Sequence, residues 1–359
     1  MKRVFKTTAI NQQIWEILRN NRLQEKYYFN DIRVLVESFL NEDRLPERTQ
    51  LAQSISKRTL TRHKKDGSLH PFLDRMVDIE RGVQYFDKYL RDHINHSVYV
   101  YLLGLTFIEK TPFFRNIDPL SWKITALLHD IGYPPEWFAY STREYFNQVS
   151  EVGGTLAMGN RGIEYGVRID GIEQLEFSKI NAFRAIDNRL KMWNIKLNTR
   201  RVFKIGLSRG EINHGILSAL AILRIVDHLY YMNNPDRSEE KTDDQMLDWG
   251  VKCFNKQIVE AVTAVSIHAI LGEFGEIHLE NTPIAYLLVL CDNLQLWNRY
   301  SPKRKIYCPN DVTTDFRPNN PRFELNVDDD DLKGVEDVVN NKLHAENFRV
   351  QVQKRLSQD

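Results

Sequence analysis

Apolar residues recur along most of this chain at the three- and four-residue spacing of helices that bury one face. Ile14, Ile17 and Leu18, then Ile32, Leu35, Val36, Phe39 and Leu40, predict two N-terminal helices. A longer pattern from Phe72 to Lys110 predicts two more, stopped at Thr111-Pro112 because the residue before a proline is pushed out of helical geometry. Asp118-Pro119 then supplies an N-cap and a first-turn proline, and Leu120, Ile124, Leu127, Leu128 and Ile131 form the buried stripe that follows. Gly132 and Pro134 end that helix, which puts His129 and Asp130 in its last turn.

Asn213 caps a further helix, striped by Ile216, Leu217, Leu220, Leu223 and Ile225 and closed by Asn233-Asn234-Pro235. Beyond the charged segment Asp236–Asp244 comes a helix holding Ile258, Val262, Val265 and His268. Thr282-Pro283 opens the last core helix, where Asp292 interrupts Leu287, Leu288, Leu290, Leu294 and Trp297. A carboxylate on that face needs a partner.

The remaining segments read differently. The basic stretch Lys57–Gly67 is expected as a solvated loop, and 136–210, broken by glycines at 153, 154, 159, 162, 166 and 171, as an insertion of loops and short helices. After Tyr300, prolines at 302, 309, 318 and 321 give way to a short strand at Phe323–Val327, an acidic turn at Asp328–Asp331 and a terminal helix over Val335–Leu356. The expected fold is mainly α: an N-terminal helical extension over 1–70, a helical body over 71–300, and a small C-terminal tail over 301–359 with one short strand.

Composition narrows the function classes. Lysine and arginine number 49 against 48 acidic residues, so no field of one sign draws the chain to nucleic acid or an anionic membrane. Cys253, Cys291 and Cys308 are too few and too irregular for a disulfide framework or a cysteine zinc site. The runs Val98–Ile108 and Ile284–Cys291 are shorter than the roughly 18–20 residues that span a bilayer, and the N-terminus lacks a secretory pattern, so a cytoplasmic protein is expected.

The candidate chemistry lies where imidazoles and carboxylates fall on or beside apolar stripes. His129, His214 and His268 sit on three different helices, with Asp130 and Asp292 posing the same burial problem in opposite charge. A divalent cation resolves both, since it takes imidazole lone pairs and compensates carboxylates. His93 and His96 are three residues apart on one helix face; His96 opens the apolar run Val98–Gly104 and is favoured as the inward one.

The order His96, His129-Asp130, His214, His268, Asp292, carried by Asn95-His96-Ser97, Leu127-Leu128-His129-Asp130-Ile131-Gly132, Asn213-His214-Gly215, Ile267-His268 and Cys291-Asp292, resembles the HD superfamily of metal-dependent phosphohydrolases. The resemblance covers about Asp74 to Arg299 and implies an HD-like helical bundle. It implies two divalent ions, among iron, manganese, cobalt, magnesium and zinc, one held by His96, His129, Asp130 and Asp292 and the other by Asp130, His214 and His268. The implied reaction is hydrolysis of a nucleotide or related phosphate ester by a metal-activated hydroxide.

Around that set, Glu211 is a candidate general acid or anchor for His214, while Arg299 and Lys123 are candidate phosphate contacts. The same ligands would serve a di-iron oxygenase, or a non-catalytic module that binds a nucleotide or a partner.

Overall fold

The computed structural model describes residues 9–19, 31–60, 93–137, 139, 173–175, 180–209, 211–233, 254–297, 300–301, 306–307, 312–325, 327 and 329–354. These are mainly helical, with short strands toward the C-terminal end. No helix among the described residues is long and apolar enough to cross a membrane. The chain divides into two compact units, the first made of Met1–Leu127 with Gly275–Asp359, the second of Leu128–Phe274.

The first unit is organised on α4 (His93–Lys110), a helix buried on every side from His93 to Ile108. Such a helix must be wrapped by others. The N-terminal helices α1 (Ala9–Leu18), α2 (Arg33–Asn41) and α3 (Leu45–Leu60) pack around it, α1 and α3 directly against it. So does α10 (Pro283–Leu294), whose residues Ile284–Cys291 are also fully covered. Helix α5 (Pro119–Leu128) starts as the Asp118-Pro119 pair predicts, with Asp118 Oδ1 accepting from the Ser121 backbone N–H at 2.9 Å. Two expectations shift here. Lys57–Leu60 continue α3 rather than forming a loop, because Thr59 and Leu60 are buried. Helix α5 ends at Leu128, so His129 and Asp130 lie in the turn after it.

The C-terminal tail holds more strand than its sequence suggests. β1 (Ile277–His278) pairs in parallel with β6 (Leu343–His344), and β2 (Tyr300–Ser301) pairs antiparallel with β3 (Ile306–Tyr307). β5 (Arg322–Leu325) lies between β4 (Val312–Asp315), antiparallel to it, and β7 (Gln351–Lys354), parallel to it. The expected acidic turn is instead the first turn of α11 (Asp329–Asp337), where three aspartates favour the positive end of the helix dipole. The expected terminal helix over Val335–Leu356 is corrected: α11 stops at Asp337, a wide turn spans Val338–Lys342, and β6 and β7 follow. Phe348 and Val350 are both buried, an alternation of period two that belongs to extended chain. Phe348 closes an aromatic cluster with Phe107, Phe113, Phe114 and Tyr286, at centroid distances of 5.4–6.5 Å.

In the second unit, α6 (Ala182–Met192) and α7 (Thr199–Ser208) are amphipathic helices capped by Asn181 and Asn198. They lie in the segment 136–210, where loops and short helices are expected. α8 (His214–Asn233) begins where Asn213 predicts, with Asn213 Oδ1 accepting from the Ile216 N–H at 2.8 Å. It packs along α9 (Val259–His268), itself preceded by the wide helical turn Phe254–Ile258. The expected helix over 72–92, the segment Asp236–Asp244, Cys253 and Cys308 lie outside the described residues.

Cys291 is wholly buried in α10, and burial, then the adjacent Asp292 charge, pushes its thiol well above the ordinary range. Only the thiolate is nucleophilic. In native protein at pH 8, Cys291 is expected to escape alkylation that is complete after denaturation, read by peptide mass spectrometry; modification at the denatured rate would contradict the packing. Because the folded state holds this proton more tightly than the unfolded chain, stability should also fall as pH rises past about 9.

Candidate metal centre

The second unit gathers four of the six expected ligands. The turn after α5 is held against the start of α8 by a backbone contact: the Gly132 N–H donates to Ser218 Oγ at 2.8 Å. A Cβ at position 132 would stand 2.5 Å from the His214 carbonyl oxygen and 2.9 Å from the Ser218 nitrogen, so only glycine lets the two backbones meet. Gly215 does the same between α8 and α9, where a Cβ would lie 2.9 Å from the Val265 oxygen and 3.2 Å from the His268 ring. These two close approaches bring Asp130, His214 and His268 together.

Hydrogen bonds assign the proton on each ring. His214 Nδ1 lies 2.6 Å from Glu136 Oε2, which also accepts from the His214 backbone N–H at 2.6 Å. A carboxylate only accepts, so Nδ1 carries the hydrogen and Nε2 the lone pair. His268 Nδ1 lies 2.6 Å from the Val265 carbonyl oxygen, with the same consequence. The two Nε2 atoms face each other at 3.2 Å, and each is 3.6 Å from Asp130 Oδ1. Three acceptors thus converge, with His268 and Asp130 buried.

Such a group is repulsive unless something positive lies among its members. A proton shared between the rings would satisfy two of them. A divalent cation satisfies all three, and separations of 3.2 and 3.6 Å are those of ligand atoms sharing one ion at about 2.0–2.2 Å each. The other oxygen of Asp130, Oδ2, lies 3.4 Å from Nε2 of the fully buried His129. Ligand atoms of His129, Asp130 and His268 all fall within 4.8 Å of one another. The donor set fits a divalent ion.

The other two expected ligands belong to the first unit. His96, 2% exposed on α4, places Nε2 2.8 Å from Asp292 Oδ1 on α10, while its Nδ1 lies 2.5 Å from Gln295 Oε1. His93 is buried as well, so burial does not separate the two; the Asp292 contact does.

Of the supporting residues expected from sequence, Lys123 is buried on α5 rather than facing water, and Arg299 lies outside the described residues. Glu211 is exposed, and the carboxylate that anchors His214 is that of Glu136. Glu136 was not singled out in the sequence, because the contact joins positions 78 apart and residues 133–137 form a helical turn where Gly132 and Pro134 signal only an end. Gln295 was also missed, although it stands three residues after Asp292, a spacing that shares a helix face. Beside His214 opens a cavity of about 450 Å³, lined by Glu136, Phe203, Arg209, Glu211, Asn213 and Glu273 among others.

Comparisons of the chain with protein-family models, curated proteins and solved structures give no match. What the site can do therefore rests on its own chemistry and on the ligand order along the chain.

Replacing Gly132 by alanine should separate the His129-Asp130 turn from α8. A well-packed contact overfilled by one methyl costs about 1–3 kcal/mol. The expected result is a lower unfolding midpoint in urea together with weaker zinc binding in calorimetry. Unchanged stability and binding would mean that the close approach at Gly132 does not hold the site.

Proposed function

We propose that this chain is a two-metal phosphohydrolase of the HD type, acting on a nucleotide or related phosphate ester. The observation that carries the proposal is the meeting of Asp130 Oδ1 with the lone-pair nitrogens of His214 and His268, each histidine being fixed by a donor bond on its far side. Asp130 adds to it by turning one oxygen toward that pair and the other toward His129, so that one carboxylate would serve both ligand groups. For the second ion, the resemblance to the HD superfamily implies His96, His129, Asp130 and Asp292. His96 and Asp292 already face each other 2.8 Å apart.

When bound, the ions would supply Lewis acidity toward a phosphoryl oxygen and would acidify a water to ionise near neutral pH. The chain's residues do the rest. Glu136 and the Val265 carbonyl hold two imidazoles in the tautomer that leaves Nε2 available. The cavity beside His214 offers a place for the alcohol portion of the ester, between the apolar wall of Phe203 and the polar edges of Asn213 and Glu211. From that wall Glu211 can give a proton to the departing alcohol oxygen, while Lys123 and Arg299 remain the proposed cations for phosphate.

The test is metal analysis joined to turnover. Protein purified without chelator is expected to hold two ions and to release phosphate from at least one member of a nucleotide panel. His268→Ala should lower the content to one ion, and Asp130→Ala should remove both along with activity. Two bound metals with no phosphate released across the panel would overturn the reaction assigned, and metal-dependent oxygen uptake would move the site to dioxygen chemistry. Glu136→Gln should weaken binding by about 10- to 100-fold, read by titration with zinc; unaltered affinity would remove Glu136 from the site.

A further inference from the structure

We propose that Gln295 is the positioning residue that keeps a proton on Nδ1 of His96 and thereby leaves Nε2 as its metal-binding atom. The inference rests on the metal reading above for its purpose, though not for its geometry.

The ring of His96 faces two acceptors. Gln295 Oε1 lies 2.5 Å from Nδ1 and Asp292 Oδ1 lies 2.8 Å from Nε2. Left to itself, the carboxylate is the stronger acceptor and would draw the hydrogen of a neutral ring onto Nε2. That would close His96 and Asp292 on each other and remove the lone pair a cation needs. Gln295 opposes this by offering Nδ1 an oxygen, and its amide cannot turn over. Its Nε2 donates to the Trp297 carbonyl oxygen at 2.6 Å, so a flipped amide would set two oxygens against each other.

The support continues outward through groups that are themselves covered. Trp297, 1% exposed, donates its indole N–H to Asn11 Oδ1 at 3.1 Å. Asn11 in turn donates from Nδ2 to the Leu40 carbonyl oxygen at 2.9 Å. Every hydrogen in the series points one way, from His96 to Gln295, from Gln295 to the Trp297 backbone, from the Trp297 indole to Asn11, and from Asn11 to α2. With Gln295 wholly buried, no water competes for its oxygen. The N-terminal helix α1 is thus tied to the orientation of one ligand, which gives that segment a task beyond covering α4.

The experiment is nitrogen-15 NMR of histidine-labelled, metal-free full-length protein, with the His96 signals assigned by their loss in His96→Gln. In the wild-type chain Nδ1 of His96 should resonate as a protonated nitrogen. In Gln295→Met, close in volume but without an acceptor, Nδ1 should become unprotonated with the hydrogen on Nε2. In Gln295→Glu, which keeps an acceptor, Nδ1 should stay protonated, an outcome that packing alone would not produce. Zinc affinity at one of two sites should fall by about 10- to 100-fold in Gln295→Met.

An unprotonated Nδ1 in the wild type, or a protonated one in Gln295→Met, would overturn the proposal. If Gln295→Met does not fold, the wild-type and Gln295→Glu signals still decide it. If the wild-type chain binds no metal while the Nδ1 results hold, the metal reading fails and the positioning role of Gln295 stands.

Discussion

Everything at the centre of the second unit depends on one electrostatic constraint: three acceptor atoms, Asp130 Oδ1 and the Nε2 atoms of His214 and His268, are held within 3.2–3.6 Å of one another. Their repulsion is sustained by fixed acceptors behind the two imidazoles. Glu136 and the Val265 carbonyl each take an Nδ1 hydrogen, and the Gly132 and Gly215 contacts bring the supporting backbones close. Such strain is stable when the packing around it over-determines the geometry. Here the packing comes from α8 and α9, which lie along each other and carry one histidine at the first residue and one at the last.

The first unit repeats the principle with other parts. His96 and Asp292 stand on two largely buried helices, α4 and α10. His96 is buried and Asp292 only partly so, and a buried imidazole is expensive unless each of its nitrogens is met. Gln295 meets Nδ1 of His96, and the Trp297–Asn11–Leu40 series fixes Gln295. In the proposed reading, both units therefore use the same device: a donor bond on one nitrogen selects the other for a cation.

Much of this was legible in the sequence because helix signals are local. Asp118-Pro119, Asn213 and Thr282-Pro283 mark helix starts through chemistry within one turn, and the structure begins helices there. The histidines and aspartates stood out because a polar residue on an apolar stripe is conspicuous. What escaped was non-local. Glu136 reaches a histidine 78 positions away, and the strands β6 and β7 find their partners in β1 and β5 rather than in their neighbours. The terminal helix was misjudged for a related reason: Val335 and Val339 do continue a helical spacing, but Phe348 and Val350 alternate, and sheet pairing with Arg322–Leu325 decides between the two. Gln295 was recoverable from its spacing to Asp292, had a neutral amide been counted as a partner for a buried imidazole.

The most direct test of the central claim is anomalous diffraction from crystals grown with manganese or zinc, recorded on either side of the metal's absorption edge. The account predicts a peak within bonding distance of Asp130 Oδ1, His214 Nε2 and His268 Nε2 together, with both histidine Nδ1 atoms still on Glu136 and the Val265 carbonyl. Crystals at saturating metal with no peak there, and with a hydrogen bond closing the two rings instead, would contradict it.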